Sequence, residues 1–284
     1  NETLFLAGST GMVGSSIKRA FSNLNHDSDE NYIKVLNPSR KDLNLLDSSS
    51  VKRWFEKNKP SIVILAAAKV GGILANSTYP SDFLIENLKI QMNVIESSWS
   101  TGVKRFLFLG SSCIYPKYSS QPIKEESLLT GSLESTNESY AIAKISGLKL
   151  CESLRSQYDF DAICLMPTNL YGPNDNYHPY DSHVMAALIR KFIIAKRDNL
   201  PSVTCWGRGT VSREFMHVDD LAEGIIFSLK NWFPAEKNAP KDDWGNPLYH
   251  LNIGTGIDIS IKDLASKIAD ITKFKGKILW DLSK

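Results

Sequence analysis

Tyr140 and Lys144 stand four apart in SYAIAKISG, a spacing that sets a phenol and an ammonium side by side on one helix face. A phenol titrates near ~10 in water, too high for acid–base work at neutral pH. A neighbouring ammonium and a nicotinamide are expected to stabilise the phenolate and lower that value. Upstream, the apolar run RFLFLG ends in Ser111, Ser112 and Cys113, so a hydroxyl and a thiol sit where a buried strand meets solvent. YxxxK alone arises by chance. With the serine some thirty residues earlier and a glycine loop it becomes a specific combination.

That loop is present. TLFLAGSTGMVGSSI reads as strand, turn and helix, with Gly8, Gly11 and Gly14 in a GxxGxxG spacing. Glycines there permit a tight turn and let a pyrophosphate rest on the amino end of the helix. Taken alone the pattern also fits an ordinary tight turn, and the flanking strand and helix favour a dinucleotide site. The second strand chooses the dinucleotide. An NAD site places an acid near its end, whereas YIKVLNPSRKD has none before Asp42 and carries Arg40 and Lys41 at the tip. A guanidinium at residue 40 suits a 2′-phosphate, so NADP(H) is expected; a solvated pair of loop charges is the alternative.

The elements that must position these residues follow from periodicity. TLFLAG, YIKVL, SIVILAAA, RFLFLGS and DAICLMP are near-continuous apolar runs, as in parallel strands covered on both faces. Val13, Ile17, Phe21 and Leu24 mark one helix, and Leu84, Leu88, Met92, Ile95 and Trp99 another. Strands alternating with helices imply right-handed crossovers and a doubly wound α/β sheet of Rossmann type. After Tyr171 comes a polar loop, YGPNDNYHPYDSH, then a helix pattern VMAALIRKFIIAK and a strand SVTCWG. HVDDLAEGIIFSLK and SIKDLASKIADITK read as helices, the second with Ser260 as N-cap, and LYHLNIG as a buried strand. The expected architecture is a Rossmann domain, residues 1–170 with about 213–254, and a smaller interleaved α/β substrate domain, residues 171–212 with about 255–284.

Composition limits the alternatives. With 284 residues, 42% hydrophobic and a net charge of +2, the chain can bury a large core and shows no basic field for nucleic acid. No apolar run is long enough to span a bilayer, and no secretory leader is expected. Four cysteines, Cys113, Cys151, Cys164 and Cys205, lie without a CxxC pair, so neither a disulfide framework nor a metal site is expected and a cytoplasmic setting is. Cys151 and Cys164 read as small core residues.

GxxGxxG, a serine after FLFLG and YxxxK together resemble the extended short-chain dehydrogenase/reductases. The strings AAAKVGGILANSTYPSDF, LGSSCIYPK, STNESYAIAKISGLKLCE, MPTNLYGPNDNYHPYDSHV and REFMHVDD resemble one branch, the GDP-L-fucose synthase family, from residue 3 to the last residue. The resemblance implies a GDP-sugar substrate, GDP-4-keto-6-deoxy-D-mannose, inverted at C3 and C5 and then reduced at C4 with NADPH. A C4 ketone acidifies both neighbouring C–H groups, so each inversion needs a base and an acid in reach. By resemblance these are Cys113 as base and His183 as acid, both of types able to titrate near neutral pH. Ser111 and Tyr140 then hold the C4 oxygen, Tyr140 donates its proton, and Lys144 holds the nicotinamide ribose.

For the cofactor the resemblance implies Gly8, Ser9, Thr10, Gly11, Met12, Val13 and Gly14 around the phosphates, with Arg40 at the 2′ end. It adds Ala66, Ala67, Leu109 and Gly110 at the sheet edge, Pro167, Thr168, Asn169 and Leu170 beside the nicotinamide, and Lys144 and His183. Asn169 reads as structural rather than catalytic. Lys191, Trp206 and Arg213 match the substrate side, Trp206 over the nucleotide and Arg213 at its pyrophosphate. Core packing is the other reading of Trp206, and a solitary packed or capping role that of Ser111, Cys113 and His183. His217 reads as a satisfied buried histidine near a helix start; His26, His178 and His250 belong to no acid–base constellation recognisable in the sequence. Ser9 and Thr10 replace bulkier basic residues of some relatives, position 191 can carry arginine in the family, and the family continues past ILWDLSK with a stretch that touches substrate. Family members pair through two helices, here 82–100 and 140–157, so a homodimer is expected.

The same strings weigh against neighbours. Sugar 4,6-dehydratases carry an Asp–Glu pair where this chain has Ser112 and Cys113. A C4 epimerase with tightly held NAD fits poorly with Arg40, Lys41, Cys113 and His183. A non-catalytic NADPH-binding module fits poorly with an intact Tyr140 and Lys144.

Overall fold

The computed structural model describes residues 2–27, 32–179 and 181–283. Its first half follows the apolar runs: β1 (Glu2–Ala7), α1 (Met12–Asp27), β2 (Ile33–Leu36), α2 (Ser48–Asn58), β3 (Ile62–Leu65), α3 (Ile73–Thr78), α4 (Pro80–Ser100), β4 (Arg105–Leu109), α5 (Glu138–Tyr158) and β5 (Ala162–Pro167). The second half holds β6 (Asn169–Tyr171), α6 (Val184–Arg197), β7 (Ser202–Trp206), β8 (Ser212–His217), α7 (Val218–Asn231), β9 (His250–Ile253), β10 (Asp258–Ser260), α8 (Ile261–Thr272) and β11 (Lys277–Asp281).

Six strands form one parallel sheet in the order β2-β1-β3-β4-β5-β9. Every strand of such a sheet is covered twice, so successive side chains feed opposite layers. Phe5, Val63, Leu65, Phe106 and Phe108 pack under α2, α4 and α5, while Leu4, Leu6, Ile64, Leu107 and Leu109 pack under α1 and α7. This is the doubly wound Rossmann arrangement that the apolar runs imply. Because β1 is flanked by β2 on one side and β3 on the other, the chain reverses its winding between β1 and β3. A crevice opens there at the carboxyl ends of the strands, where ligands bind in sheets of this type.

Beside this sheet, β8 pairs antiparallel with β10 and parallel with β6, and β11 lies parallel to β7. A third apolar cluster, with Met185, Leu188 and Phe192 of α6 and Leu264 and Ile268 of α8, packs these small sheets. Local sequence sets the helix starts. Asp47 accepts the N–H groups of Ser49 and Ser50 at the head of α2, and Ser260 accepts that of Asp263 at the head of α8. His217 caps α7 by accepting from Asp219 at 3.2 Å, so it is satisfied as expected, but it is half-buried rather than buried.

The stripe expected to bury α4 is only partly the buried one. The residues facing α5 and the sheet are Phe83, Asn87, Gln91, Val94, Ile95, Ser97 and Ser98, whereas Met92 is 46% exposed. The buried polar members are paired: Asn87 Nδ2 donates to the carbonyls of Lys69 and Phe83, and Gln91 Nε2 to that of Ala143. Among the described residues no helix is long and apolar enough to cross a membrane.

Candidate active site

The glycine loop lies at the crevice between β1 and β3. Gly8 holds a left-handed backbone, φ +87°, which favours glycine, and a Cβ there would stand 2.7 Å from the backbone nitrogen of Ala67. At Gly14 a Cβ would overlap the Gly8 carbonyl, so the first turn of α1 closes directly onto the loop. Gly11 differs. A Cβ there would come no nearer than 3.6 Å to the Gly8 oxygen, an ordinary contact, so the protein's own atoms do not require glycine at this position. A ligand against the backbone at the amino end of α1 does require it, and this is the fit a dinucleotide pyrophosphate needs. Arg40 lies exposed in the turn after β2 and forms no ion pair among the described residues, which leaves its guanidinium available.

β4 delivers the next group. Its end runs through Gly110 to Ser111, which caps a short 3-10 turn over Ser112–Ile114 and accepts from the Cys113 N–H at 3.4 Å. The opening turns of α5 bring Tyr140 and Lys144 to the same place. Lys144 is buried, its Nζ donates to the Leu109 carbonyl at 2.9 Å and lies 5.8 Å from the centre of the Tyr140 ring. Phe83 of α4 meets Tyr140 edge-on, with ring centres 6.4 Å apart. Ser111, Cys113, Tyr140 and Lys144 thus form one cluster at the carboxyl edge of the sheet.

The electrostatics differ from those expected of the residue types. Burial pushes the Cys113 thiol up to about 11, with the Ser111 hydroxyl and the Lys144 charge opposing. Burial likewise raises the Tyr140 phenol well above its ordinary value, and Cys113 adds to that shift. Lys144 is itself lowered to about 8 by burial. The Lys144 ammonium alone therefore does not lower the phenol, and the Cys113 thiol does not titrate near neutral pH: desolvation raises both groups, and at Cys113 it outweighs the Ser111 hydroxyl and the Lys144 charge. At neutral pH the cluster holds an intact phenol and an intact thiol.

His183 stands at the N-cap position of α6, an exposed residue whose imidazole is nonetheless partly shielded by the surrounding protein. Desolvation lowers its pKa and Asp175 pulls it the other way. Asp175 was not singled out by sequence, since a polar loop gives no periodicity to mark one carboxylate. The loop carrying both is tied down at its start, where Asn174 Nδ2 donates to Ser15 Oγ of α1 at 3.0 Å.

On the far side, Trp206 ends β7 and is 59% exposed, so the core-packing reading is set aside. Lys191 sets its Nζ 5.2 Å from the Trp206 ring centre and donates to the Thr204 carbonyl at 2.9 Å. Arg213 on β8 is exposed, donates to the Ser212 carbonyl, and forms no ion pair among the described residues. Thr168 and Asn169 both donate to the Glu214 carbonyl, at 3.0 and 2.9 Å, as suits a structural asparagine. The Glu214 carboxylate accepts from the Gly256 N–H at 2.8 Å; sequence reasoning passed over this residue, which neighbours Arg213. Among the described residues no cluster fit for a metal ion is present.

The chain is similar to several known proteins. The family model described as "NAD dependent epimerase/dehydratase family" matches residues 4–242. A GDP-L-fucose synthase of Escherichia coli (strain K12) is 48% identical over 285 residues, 100% of this chain and 85% of that protein. A putative GDP-L-fucose synthase 2 of Arabidopsis thaliana is 48% identical over 281 residues, 99% of this chain and 80% of that protein. Among solved structures, a GDP-mannoheptose C4 reductase from Campylobacter jejuni with NADP bound superposes with a TM-score of 0.85 at 36% identity, covering 100% of this chain and 88% of that one.

Proposed function

We propose that this chain, which belongs to the NAD dependent epimerase/dehydratase family, converts GDP-4-keto-6-deoxy-D-mannose to GDP-L-fucose. It inverts C3 and C5 and reduces C4 with NADPH. The observation that carries the reading is the cluster of Ser111, Cys113, Tyr140 and Lys144 at the sheet edge that also holds the glycine loop. The 48% identity to GDP-L-fucose synthases over nearly the whole chain supports the substrate.

NADPH, when bound along Gly8–Gly14 with Arg40 at its 2′-phosphate, supplies the hydride for C4. The residues do the rest. Ser111 and Tyr140 hold the C4 oxygen, and a phenol that keeps its proton at neutral pH is the form able to donate it as charge develops there. Lys144, fixed on the Leu109 carbonyl, stands beside that phenol and the ribose position. For inversion, moving the thiol proton of Cys113 to His183 creates a thiolate base and an imidazolium acid in one step. The thiolate removes the proton α to the ketone, the imidazolium returns one to the opposite face, and the pair is restored by exchange between them. Trp206 covers the nucleotide and Lys191 and Arg213 meet its phosphates.

Residues 1–170 with about 213–254 form the cofactor-binding part and 171–212 with about 255–284 the substrate part in this reading. It also pairs two copies through α4 and α5, whose outer face shows Ile85, Met92, Ile142 and Tyr158 beside a groove lined by Trp99, Leu150 and Leu154. Four free cysteines fit a reducing cytoplasm. A C4 reductase that does not invert is the second reading, favoured by the likeness to the GDP-mannoheptose C4 reductase. Mixing protein, NADPH and GDP-4-keto-6-deoxy-D-mannose, following the loss of NADPH absorbance and identifying the sugar separates them. GDP-L-fucose is expected; a sugar reduced at C4 with C3 and C5 unchanged selects the second reading.

A further inference from the structure

The adjacent glycines in KVGGILAN have surroundings that give one of them a task. Gly72 precedes α3 with φ −69° and ψ −178°, a backbone that any residue adopts. Conformation therefore does not demand glycine here; a neighbour does. A Cβ at residue 72 would stand 2.7 Å from the carbonyl oxygen of Ser182 and 3.5 Å from that of Asp181. The Gly72 N–H donates to the same Asp181 oxygen at 3.0 Å. From behind, the buried Asn76 holds the turn, its Nδ2 donating to the carbonyls of Gly71 at 2.8 Å and Gly72 at 3.0 Å.

The next residue after Ser182 is His183. On its other side the same turn reaches the phenol: a Cβ on Gly71 would come 3.1 Å from Phe83 Cζ, and Phe83 stands edge-on to Tyr140. The Gly71–Gly72 turn thus touches both the loop that presents the imidazole and the ring that supports the phenol. We infer that Gly72 is a positioning residue for proton transfer, its N–H and its missing side chain setting how close the His183 backbone lies to the Tyr140 cluster. The inference rests on the reading of His183 as proton donor given above. An alanine methyl displaces the 181–183 segment, because the atom it meets is backbone and cannot swing aside.

The test separates two rates in the full chain supplied with NADP+. Deuterium uptake from heavy water into GDP-4-keto-6-deoxy-D-mannose reads proton transfer, and oxidation of GDP-L-fucose, the reduction run backwards, reads the hydride step. In Gly72→Ala uptake falls on the order of 100-fold, the cost of about 1 Å of misplacement, while oxidation stays within about threefold. Asn76→Ala leaves residue 72 intact and shows the same split to a smaller degree; it decides the matter where Gly72→Ala does not fold. Equal losses in both rates, or no loss in either, overturn the inference. Absence of uptake by the unmodified chain overturns the functional reading instead.

Discussion

The Lys144 ammonium donates to the Leu109 carbonyl across 2.9 Å, so the cation is anchored to the end of β4 rather than to the phenol four residues before it. That anchor fixes where the buried charge sits, and burial holds its pKa near 8 instead of 10.5.

A pH dependence follows. Between about 8 and 10.5 the unfolded chain keeps a proton that the folded chain has released, so through this group stability rises with pH in that window. Below it both states are charged and the cost of burial is complete. Thermal melts from pH 8 to 9 should show the native chain gaining on Lys144→Met as pH rises. A difference independent of pH contradicts the shift.

Cys113 should be a sluggish nucleophile in the ligand-free protein. With its pKa up at about 11 the thiolate fraction at pH 7.5 is small, and iodoacetamide should label it on the order of 100-fold more slowly than cysteine in water. Peptide mass analysis after timed labelling reads this directly. Rapid labelling at neutral pH means that the sulfur is already ionised.

Arg40 should set cofactor choice. Losing a charge-assisted contact of about 1.5–3 kcal/mol lowers the NADPH-to-NADH preference by about ten- to a hundredfold in Arg40→Ala. The ratio of kcat/KM values for the two cofactors measures it, and an unchanged ratio removes the clamp.

The outer face of α4 and α5 should hold two copies together. Met92→Glu puts a charge on that half-exposed apolar face, and sedimentation should show a dimer for the native chain and monomer for the variant. A native monomer at micromolar concentration rules the pairing out.

The sheet was legible because its strands are covered on both faces and so read as unbroken apolar runs; β1, β3, β4 and β5 come directly from such runs. α4 was harder. It is apolar on two faces, and the buried one carries Asn87 and Gln91, whose satisfaction depends on the Lys69 and Ala143 carbonyls far along the chain. The strands β6, β8, β10 and β11 went unread: β6 and β10 have only three residues each, and β8 and β11 are largely exposed or half-buried and carry polar residues instead of an unbroken apolar run. At the site, residue types and spacing pointed to Tyr140 and Lys144, and resemblance to Cys113 and His183. The direction of the Cys113 and Tyr140 shifts was not legible, because it depends on how deeply the fold buries them. Asp175, Glu214 and Gly72 act through loop contacts that no periodicity marks.

The most direct measurement is isotopic. With NADPH and GDP-4-keto-6-deoxy-D-mannose in heavy water, the native chain should yield GDP-L-fucose carrying deuterium at C3 and C5, and Cys113→Ser should bind NADPH normally yet introduce no label. Product without deuterium from the native chain, or full labelling by the variant, contradicts a thiol that carries protons beside a reduced ketone.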